Sequence, residues 1–142
     1  MKVYWDTSAL IWFYSESRLS EVSGVTRPHT LAEMFSTLTG AGVQMISPDG
    51  TLRLKKLSPG SGVAIVQRLV PVLEYVDLSA AEVAAALANA QAQAVQGGRV
   101  HDLLHAVAAE KAGADELWTL DQNDFKGLTK VALKDPSGEP SG

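Results

Sequence analysis

The sequence predicts an α/β sandwich with a mostly parallel sheet, and three observations carry that expectation. Short β-branched and aromatic runs alternate several times with helical patterns along the 142 residues, as expected of strands laid side by side through helical crossovers. The composition, 46% hydrophobic and 20% charged, is that of a globular chain, and a chain of this length buries enough apolar surface for an ordinary core. Cysteine is absent, so that core needs no disulfides, and thiol catalysis, iron–sulfur clusters and Cys-based zinc sites are excluded.

Taken in order, Lys2-Val3-Tyr4-Trp5 reads as a buried strand that stops at the polar Asp6-Thr7-Ser8, and the apolar stretch from Ala9 to Tyr14 begins a helix. That stretch is far shorter than the roughly 20 residues of a membrane span, and nothing at the N-terminus reads as a signal peptide. A cytoplasmic protein with no membrane partner is the expectation. A short strand follows within Val22 to Pro28, then a helix from Thr30 to Thr39 with Leu31, Met34, Phe35 and Leu38 at helical spacing, ending near Gly40. Between Val43 and Leu57 the turn signal Pro48-Asp49-Gly50 fits a β-hairpin and two short helices equally. Ser58-Pro59-Gly60-Ser61-Gly62 reads as punctuation before a helix through Val63, Ile65, Val66, Leu69 and Val70, and Leu73 to Leu78 as a strand. The Ala-rich run from Ser79 to Val95 has high helix propensity and opens on the capping box Ser79-x-x-Glu82, with Gly97-Gly98 ending it. His101 to Ala112 is a further helix closed by Gly113, and Glu116 to Leu120 and Val131 to Leu133 are strands. One domain over residues 1–134 is expected, with a frayed tail over 135–142, where two Pro and two Gly fall.

Chemistry is suggested by five acids at junctions of one kind. Asp6 follows the first strand, Glu33 and Asp102 lie in the first turns of helices, and Asp121 and Asp124 follow the strand that ends at Leu120. In a parallel α/β sheet such junctions share one edge, where ligands bind. Carboxylates within about 4–6 Å of each other repel, which a protonated member or a cation relieves; an all-oxygen site favours Mg²⁺ or Mn²⁺. Each acid also has a purely structural explanation: Asp6 as a helix cap, Thr30-x-x-Glu33 as a capping box, Asp102 as a dipole partner, and Asp121 and Asp124 as turn residues. A chemical rival is His101-Asp102-Leu103-Leu104-His105, which differs from the His-Glu-x-x-His pattern of zinc hydrolases only by Asp for Glu. Its third ligand is unmarked, with His29 the one further histidine, and His101 and His105 are expected to pack or to support other groups. With 12 Lys and Arg against 16 Asp and Glu, a formal charge of −4, bulk attraction to nucleic acid is not expected.

Four segments resemble, in order and spacing, the motifs of PIN domains: Tyr4-Trp5-Asp6-Thr7-Ser8-Ala9-Leu10, His29-Thr30-Leu31-Ala32-Glu33-Met34-Phe35-Ser36-Thr37-Leu38, Gly98-Arg99-Val100-His101-Asp102-Leu103-Leu104-His105-Ala106, and Leu117-Trp118-Thr119-Leu120-Asp121-Gln122-Asn123-Asp124-Phe125. The size is similar to that of the compact VapC-type toxin ribonucleases. The resemblance implies a three-layer α/β/α sandwich, helices on both faces of a mostly parallel central sheet, and a metal-dependent ribonuclease that hydrolyses RNA phosphodiester bonds with metal-activated water. Asp6, Glu33 and Asp102 take the places of the family's central acids; Asp121 and Asp124 both fall within the terminal motif; Thr7, Ser8 and Thr119 match hydroxyl positions that orient acids or water. Asp6 and Asp102 are expected as primary Mg²⁺ or Mn²⁺ ligands, with Glu33 and the Asp121/Asp124 pair binding a second ion or positioning water. The implied partners are RNA, a cognate antitoxin and a second copy of the chain; the alternative is a noncatalytic PIN-like module that binds RNA or protein. Candidate phosphate contacts are Arg53, Lys55, Lys56, Arg99, Lys126 and Lys130. Tyr4, Trp5, Trp12 and Phe13 are expected in the core or a dimer interface rather than stacked on bases. Val43 to Gly62 departs most from the family pattern.

Overall fold

A computed structural model of the chain describes residues 1–90 and 92–138. Gln91, inside the expected long helix, and the last four positions of the expected tail lie outside the described residues.

The chain begins with β1 (Val3–Trp5), α1 (Thr7–Ser15), β2 (Gly24–Thr26) and α2 (Pro28–Thr39). It continues through β3 (Val43–Ile46), β4 (Leu52–Lys55), α3 (Pro59–Leu69), β5 (Leu73–Tyr75) and α4 (Ala80–Ala90). It closes with α5 (Val100–Lys111), β6 (Glu116–Trp118), the short α6 (Gln122–Phe125) and β7 (Ala132–Lys134). Five strands form one sheet in the order β5-β2-β1-β6-β7. Every neighbouring pair in it is parallel, and central Tyr4 is in register with Val25 on one side and Leu117 on the other.

Side chains alternate across a strand, and here the alternation builds two cores. Val3 and Trp5 pack with Leu10 and Phe13 of α1, Met34 and Leu38 of α2 and Leu69 of α3. Tyr4, Val25 and Leu117 face the other way, onto Ala86 of α4 and Leu103 and Ala106 of α5. The result is the expected α/β/α sandwich. No helix among the described residues is long and apolar enough to cross a membrane.

Three local expectations change. The ambiguous segment after α2 is a hairpin: β3 and β4 pair antiparallel, and the turn is closed by the Ser47 amide donating to the Thr51 carbonyl at 2.8 Å, with Gly50 at φ 85°, a left-handed position that glycine adopts without a Cβ penalty. The Ser58 to Gly62 segment does not break the chain but starts α3. Ser58 is the N-cap, its Oγ accepting from the Ser61 amide at 3.2 Å, and Pro59 takes the first helical position, where its missing N–H costs nothing. Gly62 then lies against α2, where a Cβ would stand 2.8 Å from Thr39 Cγ2 and 3.2 Å from the Phe35 ring. Gly62→Val is therefore expected to lower the unfolding free energy by about 2 kcal/mol through overpacking, read by urea denaturation with the far-UV spectrum unchanged. Finally, α4 is described only to Ala90 rather than to Val95. Ala94 takes φ 55°, and the Val95 amide returns to the Ala90 carbonyl at 2.8 Å, which leaves Val95 buried. Core contact for Val95 replaces further helix. In the expected tail, Asp135 accepts from the Ser137 amide at 2.9 Å and its carbonyl from the Gly138 amide at 3.1 Å.

Candidate active site

Asp6 leaves the end of β1 and caps α1, its Oδ1 accepting from the Ala9 amide at 2.9 Å and from Ser8 Oγ at 2.8 Å. The capping role and a place in the sheet-edge cavity coexist, because a carboxylate has two oxygens and room for several donors. Asp6 is 5% exposed. Burial pushes its carboxyl above the usual range, opposed by the charge of His105 and by hydrogen bonds from Thr119, Ala9 and Ser8.

Glu33 reaches the same edge because α2 begins earlier than its sequence suggests. Arg27 is the N-cap and Pro28 the first helical residue, so Thr30 lies inside the helix, buried, with its hydroxyl 2.8 Å from Thr26 Oγ1. Thr30-x-x-Glu33 is thus no capping box. Ser79-x-x-Glu82 is one: the Ser79 amide donates to Glu82 Oε1 at 2.9 Å and the Glu82 amide to Ser79 Oγ at 3.1 Å. Relieved of a capping role, Glu33 accepts on Oε1 from Thr7 Oγ1 at 3.2 Å and pairs with His105 Nε2 at 3.0 Å.

His105 is 3% exposed. Its other nitrogen, Nδ1, is 2.8 Å from the buried Tyr4 hydroxyl. A carboxylate only accepts, so partner chemistry assigns the Nε2 proton toward Glu33, and in the neutral imidazole Nδ1 accepts from Tyr4. Burial holds the Tyr4 phenol well above its usual range, against the charge of Arg27, so the hydroxyl keeps the proton it donates. Burial also works to raise Glu33, but the hydrogen bond and charge of His105, the charge of His29 and the Thr7 hydrogen bond outweigh it, and the carboxyl lies below its ordinary value.

Asp102, in the first turn of α5, completes the facing side. Its carboxyl is pushed up to about 6 by burial and by the charge of Asp124, then by Asp6 and Asp121, with His105 opposing. Asp121 at the rim is raised by partial burial and by the charges of Asp124 and Asp135. Asp6, Glu33, Asp102 and Asp121 line one cavity of about 410 Å³ together with Thr7, Ser8 and His105. Asp124, in α6, acts on that cavity through its charge on Asp102 and Asp121. Four of the five acids expected from sequence therefore line the cavity, Asp124 acts on it by charge, and Glu33 is set by His105, His29 and Thr7 rather than by the other acids.

The three expected hydroxyl residues bond within it. Thr7 donates to Glu33; Ser8 donates to Asp6 and accepts from the Leu120 amide at 2.9 Å; Thr119 accepts from the Asp121 amide at 2.9 Å. The basic candidates divide. Arg99 reaches the Asp124 carbonyl at 3.4 Å, while Lys126 and Lys130 are exposed and follow α6. Arg53, Lys55 and Lys56 line a groove along the β3–β4 hairpin, and none of them lines the acidic cavity. Tyr4, Trp5 and Phe13 are buried and are not available to stack on bases.

The His101/His105 zinc pairing is not formed, since His105 is committed to Tyr4 and Glu33. His101 instead stacks on His29, ring centroids 6.2 Å apart and planes 17° from parallel. The Tyr4–His105–Glu33 chain and the His29–His101 pair were not foreseen as units; the signals available were the i, i+4 spacings of His101 with His105 and of His29 with Glu33.

Comparison with known proteins agrees with this architecture. No curated protein matches the chain by sequence. The solved structure of VapBC-1 from nontypeable Haemophilus influenzae is similar with a TM-score of 0.61 at 16% identity, covering 95% of this chain and 98% of that one; at that identity the shared property is the fold. The family model described as PIN domain matches residues 3–131. With β1 through β6, both helical layers and the acidic edge inside that match, the chain belongs to the PIN domain family.

Proposed function

We propose that the protein is a Mg²⁺- or Mn²⁺-dependent endoribonuclease that hydrolyses RNA phosphodiester bonds, and that it is the toxin of a VapBC-type pair acting in the cytoplasm. The observation that carries this reading is the sheet-edge cavity that gathers Asp6, Glu33, Asp102 and Asp121 from separate segments, where burial and the charges of Asp124, Asp6 and Asp121 push the Asp102 carboxyl up to about 6. Carboxylates gathered in one cavity are relieved by a hard dication, and Asp6, Asp102 and Asp121, with Glu33 beside them, supply the oxygen chemistry such an ion takes. Asp6 and Asp102 would be the primary ligands, and Glu33, Asp121 and Asp124 would bind a second ion or orient water. A bound dication would supply charge stabilisation at the phosphate and an activated water. The chain's own residues hold the geometry. Thr7 and His105 fix the Glu33 carboxylate, Ser8 and the Ala9 amide fix Asp6, and Thr119 ties the chain at Asp121. Arg99, Lys126 and Lys130 are the cations best disposed to hold RNA phosphates beside the acidic edge, with Arg53, Lys55 and Lys56 a more distant contact along the hairpin.

The test is cleavage of RNA with Mg²⁺ or Mn²⁺ against EDTA. Cleavage that disappears in EDTA and returns with the cation is expected; equal activity in both ends the proposal. Tight RNA binding without cleavage at any divalent concentration would instead identify a noncatalytic RNA-binding module. Millimolar Mn²⁺ is also expected to raise the melting temperature by roughly 3–8 °C, since a cation bound by the folded chain stabilises it. The antitoxin and homodimer belong to the same proposal: a short reading frame directly upstream, whose product co-purifies and suppresses cleavage, is the expected finding.

A further inference from the structure

We propose that His29, Glu33 and His101 form a second cation site, of zinc type, that abuts the acidic cavity and shares Glu33 with it. His29 and Glu33 are one helical turn apart on α2, and His101 enters from the start of α5. One ligand atom from each of the three lies within 4.8 Å of the others. In a tetrahedral zinc site, with bonds of about 2.0–2.1 Å, ligand atoms stand about 3.3 Å apart. His29 and His101 are both exposed, and their rings stack on each other, so binding an ion would reorient both imidazoles and draw the ligand atoms together.

Glu33 is already prepared to act as the third ligand. Oε1 carries both of its hydrogen bonds, from Thr7 and His105, and Oε2 is left to ligate. Hydrogen bonds behind a ligand carboxylate are what fix its direction toward a metal. The three residues line a depression of about 390 Å³ with Ser36 and Thr37, open enough for a water to take a fourth position, as three-ligand zinc sites require.

The ligand set also selects the ion. Two imidazoles and one carboxylate favour Zn²⁺ and its neighbours Co²⁺ and Ni²⁺, whereas Mg²⁺ prefers oxygen alone. The two cation chemistries thus divide between adjoining pockets that meet at one side chain. Zinc binding by the two imidazoles can be read without any measurement of RNA cleavage, although the shared Glu33 couples the site to the neighbouring carboxylates.

Calorimetric titration of the metal-free protein with ZnCl₂, paired with the visible absorption of the Co²⁺ complex, tests the site. Wild type and Asp102→Asn are both expected to give tetrahedral Co²⁺ bands and a histidine-dependent zinc event, even where Asp102→Asn loses a separate event at the carboxylates. His29→Ala and His101→Ala, substitutions at exposed positions, are each expected to weaken binding about tenfold or more and to lose those bands, and Mg²⁺ is expected to leave the imidazole-dependent Co²⁺ bands in place even where it competes for the shared Glu33. Histidine variants that titrate like wild type would overturn the assignment. So would loss of zinc in Asp102→Asn with the histidine variants unaffected, which would put the ion among the carboxylates.

Discussion

Asp102→Asn is expected to reduce divalent-dependent RNA cleavage by about a thousandfold, the scale of losing a group that stabilises developing charge, while making the cation-free protein more stable at neutral pH. The two effects have one cause. The Asp102 carboxyl titrates near 6 in the folded chain against an ordinary 3.8. Its folded value is raised, so the stability it contributes is complete below its unfolded value and is lost as pH rises through about 6. At neutral pH the ionised group is penalised by burial and then by the charges of Asp124, Asp6 and Asp121, and the neutral amide relieves both without changing shape. Without cation, the melting temperature of wild type should therefore fall between pH 4 and 7 more than that of the variant, and Mn²⁺ should reverse the difference. At limiting cation, cleavage by wild type should rise with pH, because the proton on Asp102 competes with the metal for the same carboxylate. Single-turnover cleavage and calorimetric melting across this range provide the readout. Undiminished cleavage by Asp102→Asn would remove the acid from the reaction, and a variant less stable than wild type would contradict the repulsion.

The parts of this site legible in the sequence are those that topology alone brings together. Once β1 and β6 are read as neighbouring parallel strands, Asp6 and Asp121 must meet at their carboxyl ends, and helices that start at that edge deliver Glu33 and Asp102. Local signals were less decisive where two physical uses share one pattern. Thr30-x-x-Glu33 and Ser79-x-x-Glu82 are the same motif, yet only the second is a cap, because Pro28 starts α2 two residues before Thr30 and turns Glu33 toward His105. Likewise the glycines after Ser58 read as breakers, but Gly62 is small because Phe35 and Thr39 pack against it. The His29–His101 pair was illegible for a different reason. It depends on how closely α2 and α5 approach across the sheet edge, a distance that no periodicity within either helix encodes.

His105→Ala is expected to lower the unfolding free energy by about 3 kcal/mol and to reduce cleavage by roughly 10–100-fold, because the imidazole joins the buried core to the acidic edge. Truncation leaves a cavity against the Tyr4 ring and takes away the Nδ1 acceptor of the buried Tyr4 hydroxyl; each contributes on the order of 1–3 kcal/mol. At the other end it removes the donor that orients Glu33, the kind of support whose loss weakens metal binding or activity by about one to two orders of magnitude. Glu33 should then titrate higher, since the hydrogen bond and charge of His105 are the largest influences holding it down against burial. Its folded value is depressed in wild type, so the stability it contributes above its unfolded value is lost as pH falls, and that acid-limb loss should shrink in the variant. Tyr4→Phe separates the two ends. It keeps the ring in the core and leaves Nε2 facing Glu33, so it should cost about 1–2 kcal/mol with a much smaller effect on cleavage. If Tyr4→Phe and His105→Ala reduced activity equally, the chain would act as a proton relay through the phenol. A loss confined to His105→Ala makes the imidazole a positioning residue, with Tyr4 serving to set its tautomer.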